Sequence, residues 1–313
     1  TRVGGRSRVR FEQARPEDDS IATGRTIAAL AEAGREPLLI TLTRGERGEV
    51  VPGPLQAMVQ AHGLAVVRQN ELKTAIGMLG LERHAFLGVE PARAEDQPPV
   101  IYEDSGMRWA DPTDGAAPST PASGKPSARY LRAVPAVDVG SDALTSVPAS
   151  EVLNDLLAGA YRSGAQGIVS YDGGGGYGHP DHVLAHRMSR AVATALGLPF
   201  WEIVSDVEVE DHAPGASGAD GSGAEHASGV DTAGGSGGPD GSGAADVEQV
   251  TRADPADDGT VEVHDVEPWY ERKVAALRAY ATQLTVDEGE MVHVGGQRQS
   301  IDRVERFRLR LLE

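Results

Sequence analysis

The sequence predicts an α/β fold: a mostly parallel sheet with helices on both faces and a site at the carboxyl ends of its strands. Three observations lead there. Short apolar runs alternate with longer helical patterns, the arrangement that layers helices over a parallel sheet. The run Leu38-Leu39-Ile40-Thr41-Leu42-Thr43 is β-branched and apolar, as a strand covered on both faces should be. Gly34, Gly80 and Gly197 close helical patterns, while Pro180 and Pro268 stand at first-turn positions, where a missing N–H costs nothing.

In chain order, a first strand near Arg8 to Ala14 precedes a helix from about Thr23 to Ala33 and a strand over Leu38 to Thr43. A helix over Val66 to Leu79 and a strand over His84 to Val89 follow. The second half gives a helix over Glu151 to Arg162, a strand over Gly167 to Tyr171, a helix over Pro180 to Leu196, a strand over Pro199 to Ser205 and a helix over Pro268 to Leu284. The first strand is the odd member, because Arg10, Glu12 and Gln13 are poor fillers for a buried central strand.

Two stretches break the pattern. Residues 111–127 (DPTDGAAPSTPASGKPS) read as a Pro- and Ser-rich loop. From Asp211 to Thr260 the chain is mostly Gly, Ser, Ala and Asp, with ten acidic residues against one basic, so it carries −9 of the formal −18. Such a composition cannot offset the entropy of ordering. The expected organisation is one α/β domain from residues 1–210 plus 261–313, interrupted by a flexible acidic insertion at 211–260.

Composition narrows the function. The 313 residues include no Cys, which removes disulfides, thiolate metal sites and Cys nucleophiles. An excess of 47 acidic over 29 basic residues argues against a nucleic-acid partner. No stretch reaches the roughly 18 consecutive apolar residues of a membrane span. The basic start Thr1 to Arg10 has no apolar run behind it, so it does not read as a secretory signal. The expectation is a soluble cytoplasmic protein acting on a small molecule.

In open α/β sheets ligands bind outside the carboxyl ends of the strands, and four polar clusters fall on that edge. They are Ala14-Arg15-Pro16-Glu17-Asp18-Asp19, Thr43 to Glu49 (TRGERGE), Tyr102 to Met107 (YEDSGM) and Tyr171 to His182 (YDGGGGYGHPDH). The last is densest. His179 and His182 flank Pro180-Asp181 at a helix start, with His186 one turn on, a grouping that suits a metal ligand with an acid/base partner or simply a solvated helix start. Gly173-x-Gly175-x-x-Gly178 formally matches a dinucleotide fingerprint, although four consecutive glycines equally permit a tight turn. Arg68 falls on a predicted helix surface, where solvation or a simple ion pair is the ordinary fate, and Asp104 could be a turn residue before Gly106.

Together these residues resemble the PIG-L/LmbE-like family of zinc-dependent N-acetylglucosamine deacetylases. The nearest branch resembles the mycothiol enzymes, the inositol-linked deacetylase and the conjugate amidase. The resemblance covers most of the chain outside 211–260. It is carried by Tyr171-Asp172 through Gly178-His179-Pro180-Asp181-His182 to Ala185-His186-Arg187, with support from Thr23 to Ala28, Thr43 to Glu49, Arg68 with Glu71-Leu72, Asp104 to Met107, and Lys273 to Gln283.

The resemblance implies a Rossmann-like sheet and a zinc-dependent hydrolase that removes an acetyl group from an inositol-linked N-acetylglucosamine amide by metal-activated water. The family's Ala-His-Pro-Asp-Asp-Glu motif falls on Ala14 to Asp19 without a gap. It puts the general base on Glu17, a metal ligand on Asp18 and a ligand histidine on Arg15. His182 would be the further zinc ligand. His179 would stabilise the tetrahedral intermediate, Asp181 would orient His179, and Tyr177 would polarise the amide oxygen. Arg68 and Asp104 would grip sugar and inositol hydroxyls, with Glu46 near them. A guanidinium offers five donors and no acceptor, so Arg15 cannot ligate zinc.

Two functions follow. One is a zinc enzyme with an altered ligand set, for which His186, at i+4 from His182, is a candidate third ligand. The other is a pseudoenzyme that binds a sugar-like ligand without zinc, Arg15 supplying the charge and pairing with Asp18, Glu17 or Asp19. Arg25, in place of a family glycine, and the polar first strand suit relaxed constraint on this edge.

Overall fold

The computed structural model describes residues 8–110, 132–204 and 260–310. The Pro/Ser-rich stretch 111–127 and residues 211–259 of the acidic insertion lie outside the described residues, while Thr260 already opens a strand.

The predicted alternation forms. Strands β1 (Val9–Gln13), β2 (Leu38–Thr41), β3 (Arg83–Phe86), β6 (Gly167–Ser170) and β7 (Phe200–Ile203) are parallel neighbours in the order β3-β2-β1-β6-β7. A short antiparallel ribbon, β4 (Met107–Trp109) with β5 (Ala133–Pro135), stands apart from this sheet. The order reverses between β1 and β6, and such a switch point opens a crevice at the carboxyl edge. It sets the loop after β1 beside the loop after β6.

The helices are α1 (Asp18–Glu32), α2 (Leu55–His62), α3 (Leu64–Leu79), α4 (Ala149–Ser163), α5 (Pro180–Leu196) and α6 (Tyr270–Ala279). Apolar residues of α1, α3 and α6 join Val9, Phe11, Leu39, Val169 and Trp201 on one face of the sheet. On the other, α4 and α5 meet Leu38, Ile40, Ile168 and Phe200. The period of two along each strand sorts these sets.

The polar first strand is central and fully buried. Arg10 and Glu12, two residues apart, point to the α4–α5 face and pair at 2.8 Å between Nε and Oε1, each at most 1% exposed. Arg10 Nη1 also donates to the Leu156 carbonyl at 2.7 Å, and Glu12 accepts from the Ser189 hydroxyl. A Cβ at Gly159 would lie 3.1 Å from Arg10 Nη1, so glycine on α4 makes room for the guanidinium. Arg25 is also buried. Its guanidinium nitrogens have no hydrogen-bond partner, and its carbon lies 5.2 Å from the centre of the Tyr270 ring.

The C-terminal quarter departs from expectation. The predicted helix to Leu284 stops at Ala279. Tyr280 turns inward to donate its hydroxyl to Asp19 at 2.8 Å, and the chain then becomes strand. β9 (Leu284–Asp287), β10 (Glu290–His293) and β11 (Arg298–Ser300) form an antiparallel sheet. β12 (Val304–Arg310) runs antiparallel between β7 and β8 (Thr260–Asp265), completing a seven-stranded sheet that is parallel over five strands. No helix among the described residues is long and apolar enough to cross a membrane.

His84 on β3 gives an acid-sensitivity prediction. Burial, with the Arg44 charge nearby, pushes its imidazole down to about 4, and Nε2 lies 3.1 Å from the Thr41 hydroxyl. The unfolded chain takes up this proton near pH 6.5, before the fold does. His84 therefore contributes stability above that pH that is lost as pH falls towards 4. His84→Gln should lose less stability than wild type between pH 7 and 4.5, by about 1–2 kcal/mol after allowing for partial exposure. Urea midpoints at the two pH values check this, and an equal loss in both proteins would contradict it.

Candidate active site

The four polar clusters meet at the switch point, around a cavity of about 520 Å³. Arg15, Glu17, Asp18, Arg68, Asp104, Tyr177, His179 and His182 line it, whereas Glu46 and Asp181 stand behind the wall. α1 begins at Asp18, five residues before the predicted start, so the polar cluster after β1 runs into the first helical turn at Asp18 and Asp19.

Arg15 occupies the base of the cavity. Its Nη2 donates to the Tyr177 hydroxyl at 2.6 Å and lies 3.3 Å from Glu17 Oε1 and 3.8 Å from Asp18 Oδ1. Its Nε is buried without an acceptor. The backbone N–H of Arg15 donates to Asp18 Oδ2 at 2.9 Å, and the Tyr171 hydroxyl donates to that same oxygen at 2.7 Å. His182 stacks on Tyr171 with ring centres 4.1 Å apart, which brings its Nε2 to 3.3 Å from Asp18 Oδ2. Burial alone would raise the Asp18 carboxyl, but His182 and Arg15 beside it hold it well below the usual carboxylate range.

The second group sits on the loop and first turn of α5. His179 is the N-cap, and its Nδ1 accepts the Asp181 backbone N–H at 3.2 Å. That bond leaves the ring proton on Nε2, 4.0 Å from Asp104 Oδ1. Burial, reinforced by the Arg15 and His182 charges, holds the His179 imidazole far below its usual range, so it is neutral. Asp181 Oδ2 accepts the Ser105 N–H at 3.0 Å, and burial with the neighbouring Asp104 pushes its carboxyl up to about 7. Asp181 therefore anchors the loop that carries Asp104 as well as lying beside His179. Asp19, buried beneath the site, is likewise pushed up to about 7 by burial.

Arg68 is 2% exposed, which corrects the helix-surface reading. It donates to the carbonyls of Gly45 and Glu49, the latter at 3.1 Å. A Cβ at Gly48 would lie 2.4 Å from Arg68 Nη1, so the glycines of Thr43 to Glu49 let that loop wrap the guanidinium. Glu46 stands behind Asp104, where its Oε2 accepts the Asp104 N–H at 3.1 Å.

His186 does not join the Asp18–His182 pair. Its Nδ1 lies 2.9 Å from the Tyr171 carbonyl and 3.7 Å from Glu202. The glycine run is a tight turn in which Asp172 Oδ1 accepts from Gly174 and Gly176, each at 3.0 Å. His179 caps the helix that a phosphate would need, so the dinucleotide reading has no support there.

Sequence reasoning left several cavity residues unassigned. Gln283, with its amide nitrogen turned towards Glu17, donates to that carboxylate. Trp109 leans on Tyr177 with ring centres 5.8 Å apart, and His293 reaches the cavity from β10. Trp109 follows the Asp104-to-Met107 cluster by two residues, a local signal. His293 carries none.

A family model described as GlcNAc-PI de-N-acetylase (PIG-L) matches residues 13–193, from the end of β1 through most of α5. The chain belongs to the PIG-L family. Two curated relatives are named 1D-myo-inositol 2-acetamido-2-deoxy-alpha-D-glucopyranoside deacetylase. The one from Kineococcus radiotolerans is 34% identical across 90% of this chain and 70% of its own length. The one from Nocardiopsis dassonvillei is 34% identical across 95% of this chain and 91% of its own. Among solved structures, the A40926 pseudoaglycone deacetylase superposes with a TM-score of 0.51 at 13% identity, over 98% of this chain and 99% of that one, a likeness of fold.

The zinc implied by the family resemblance does not fit the donor set here. Catalytic zinc takes three protein ligands, and this centre offers Asp18 and His182. The third position holds a guanidinium, which has no lone pair to give and repels a dication. Asp104, His179 and Asp181 also bring three ligand atoms within 4.8 Å of one another. There the His179 ring already spends Nδ1 on the helix cap and carries its proton on Nε2, while each carboxylate accepts a backbone N–H.

Proposed function

We propose that the cavity recognises an N-acylated amino sugar, the compound class in the names of the relatives, and that Arg15 supplies the positive charge at its base in place of a metal. On this reading the chain binds the sugar amide and does not hydrolyse it. The observation that carries the proposal is the Arg15 guanidinium bonded to Tyr177 and set against Glu17 and Asp18.

The chemistry follows from these groups. The Arg15 guanidinium, which lines the cavity, suits an amide carbonyl, an acceptor that asks for no charge. Asp104, held by the Gly106 N–H at 2.7 Å, lines the same space and accepts from sugar hydroxyls, while Arg68 closes the Glu49 side with its guanidinium given to the Gly45 and Glu49 carbonyls. Hydrolysis needs a polarised water and a proton for the leaving amine. Glu17 is engaged by Arg15 and Gln283, and His179 is neutral, so it has no extra proton to give.

A second reading, zinc-dependent removal of the acetyl group from an inositol-linked N-acetylglucosamine, is favoured by one observation. Asp18 and His182 remain a facing pair, with 3.3 Å between Oδ2 and Nε2.

Titration calorimetry with the inositol-linked N-acetylglucosamine, with EDTA and then with added zinc, separates the two when acetate release is followed in parallel. The proposal expects the same affinity in both conditions and no acetate. Zinc-dependent acetate release would replace it with the second reading.

A further inference from the structure

Seven large hydrophobic side chains stand exposed among the described residues, and of these Trp109 alone lines the cavity, 39% exposed. An indole left in water forgoes the apolar contact that ordinarily covers it.

Backbone pairing sets its position. Trp109 ends β4 opposite Ala133 of β5, and Ala110 beside it donates its N–H to the Arg132 carbonyl at 2.8 Å. The Ala133 N–H donates to the Tyr177 carbonyl, also at 2.8 Å. Gly178, at φ +94°, permits that approach, since a Cβ there would lie 3.0 Å from the Ala133 carbonyl oxygen. The ribbon is thereby tied to the loop that carries Tyr177, and the two rings meet with centres 5.8 Å apart and planes at 47°.

Tyr177 spans two fixed points: its hydroxyl takes the Arg15 Nη2 hydrogen bond at 2.6 Å, while its ring meets Trp109. A pyranose ring is comparable in size to that phenol ring. A 2-acetamido sugar whose carbonyl meets Arg15 can therefore lay its ring along Tyr177 and reach Trp109. Equatorial hydroxyls spread around the edge of such a ring and leave C–H bonds on its faces. The edge suits Asp104, and a C–H face suits the electron-rich face of an indole.

We propose that Trp109 is a binding residue that seats the pyranose ring by stacking on one of its C–H faces. It thereby selects a closed sugar ring over an open chain with the same amide and hydroxyls. The proposal rests on the sugar-site reading above and adds the group that recognises the ring itself.

Tryptophan fluorescence and calorimetry on the full chain test it, with methyl 2-acetamido-2-deoxy-glucoside and the open-chain N-acetylglucosaminitol. The other two tryptophans do not line the cavity: Trp201 is fully buried in the sheet, and Trp269 bonds Glu32. The glycoside should change the emission of wild type and bind it more tightly than the alditol does. Trp109→Phe should remove the emission change and lose no more than about threefold in affinity, because an aromatic face remains. Trp109→Ala should weaken the glycoside about tenfold, the order that an aromatic face contact is worth, and leave the alditol unmoved. An emission change that persists in Trp109→Phe, or glycoside affinity untouched in Trp109→Ala, would overturn the assignment and keep the sugar site. Equal losses for glycoside and alditol in Trp109→Ala would overturn selection of the ring. Failure of the glycoside to bind wild type would overturn the sugar-site reading and the assignment with it.

Discussion

Arg15→His combined with Glu17→Asp should give the chain a zinc site. About one zinc per chain should bind the double variant, and acetate release from the inositol-linked N-acetylglucosamine should rise on the order of a hundredfold or more above wild type. The reasoning is local. Asp18 and His182 already face each other at 3.3 Å, and Tyr171 holds Asp18 by a 2.7 Å bond, so two donors are in place before any substitution. Arg15→His replaces a fixed cation with a lone-pair donor at the same backbone position. The single variant should bind zinc yet stay roughly a hundredfold less active than the double one, because the extra methylene of Glu17 misplaces its carboxylate by about 1 Å. Equal activity in the two variants would show that residue 17 is not in the reaction.

The buried pair on β1 carries the largest stability effect. Glu12→Leu should cost about 3–5 kcal/mol, because it leaves the Arg10 guanidinium charged, 1% exposed and held only by the Leu156 carbonyl. Burial lowers Arg10 and raises Glu12 against their mutual attraction, so removing either leaves the other's burial uncompensated. Arg10→Met with Glu12→Leu should recover most of that loss, since a well-packed apolar pair avoids the desolvation altogether. Chemical denaturation of the two single variants and the double one gives the coupling directly. Single-variant losses below about 1 kcal/mol would show that the pair is not a structural cation–anion contact.

What was legible in the sequence was whatever local chemistry determines. The helix Pro180–Leu196 begins at the proline and ends before Gly197 as read, and Gly167 to Tyr171 falls on β6 within a residue. The four site clusters were visible because each follows a strand or its loop. Their meeting was legible only as an edge, and the strand reversal between β1 and β6 decides which of them touch. Arg68 shows the limit. Nothing in its helix marks it for burial, and a loop some twenty residues away covers it. The same holds for Arg10 and Glu12, poor strand fillers singly that satisfy one another at i, i+2 on one face. The C-terminal strands had a usable signal in Val304-Glu305-Arg306-Phe307-Arg308-Leu309-Arg310, which alternates with period two. The helix read through to Leu284 had no such warning, because its end is fixed by Tyr280 reaching Asp19 across the fold.

The central claim is that Arg15 stands where the family's metal would, and zinc stoichiometry by elemental analysis tests it most directly. Wild type and Arg15→His would be purified side by side and each dialysed against zinc and then metal-free buffer. The account predicts no retained zinc in wild type and about one per chain in the variant. One zinc per chain in wild type would contradict it and return the cavity to metal-dependent deacetylation.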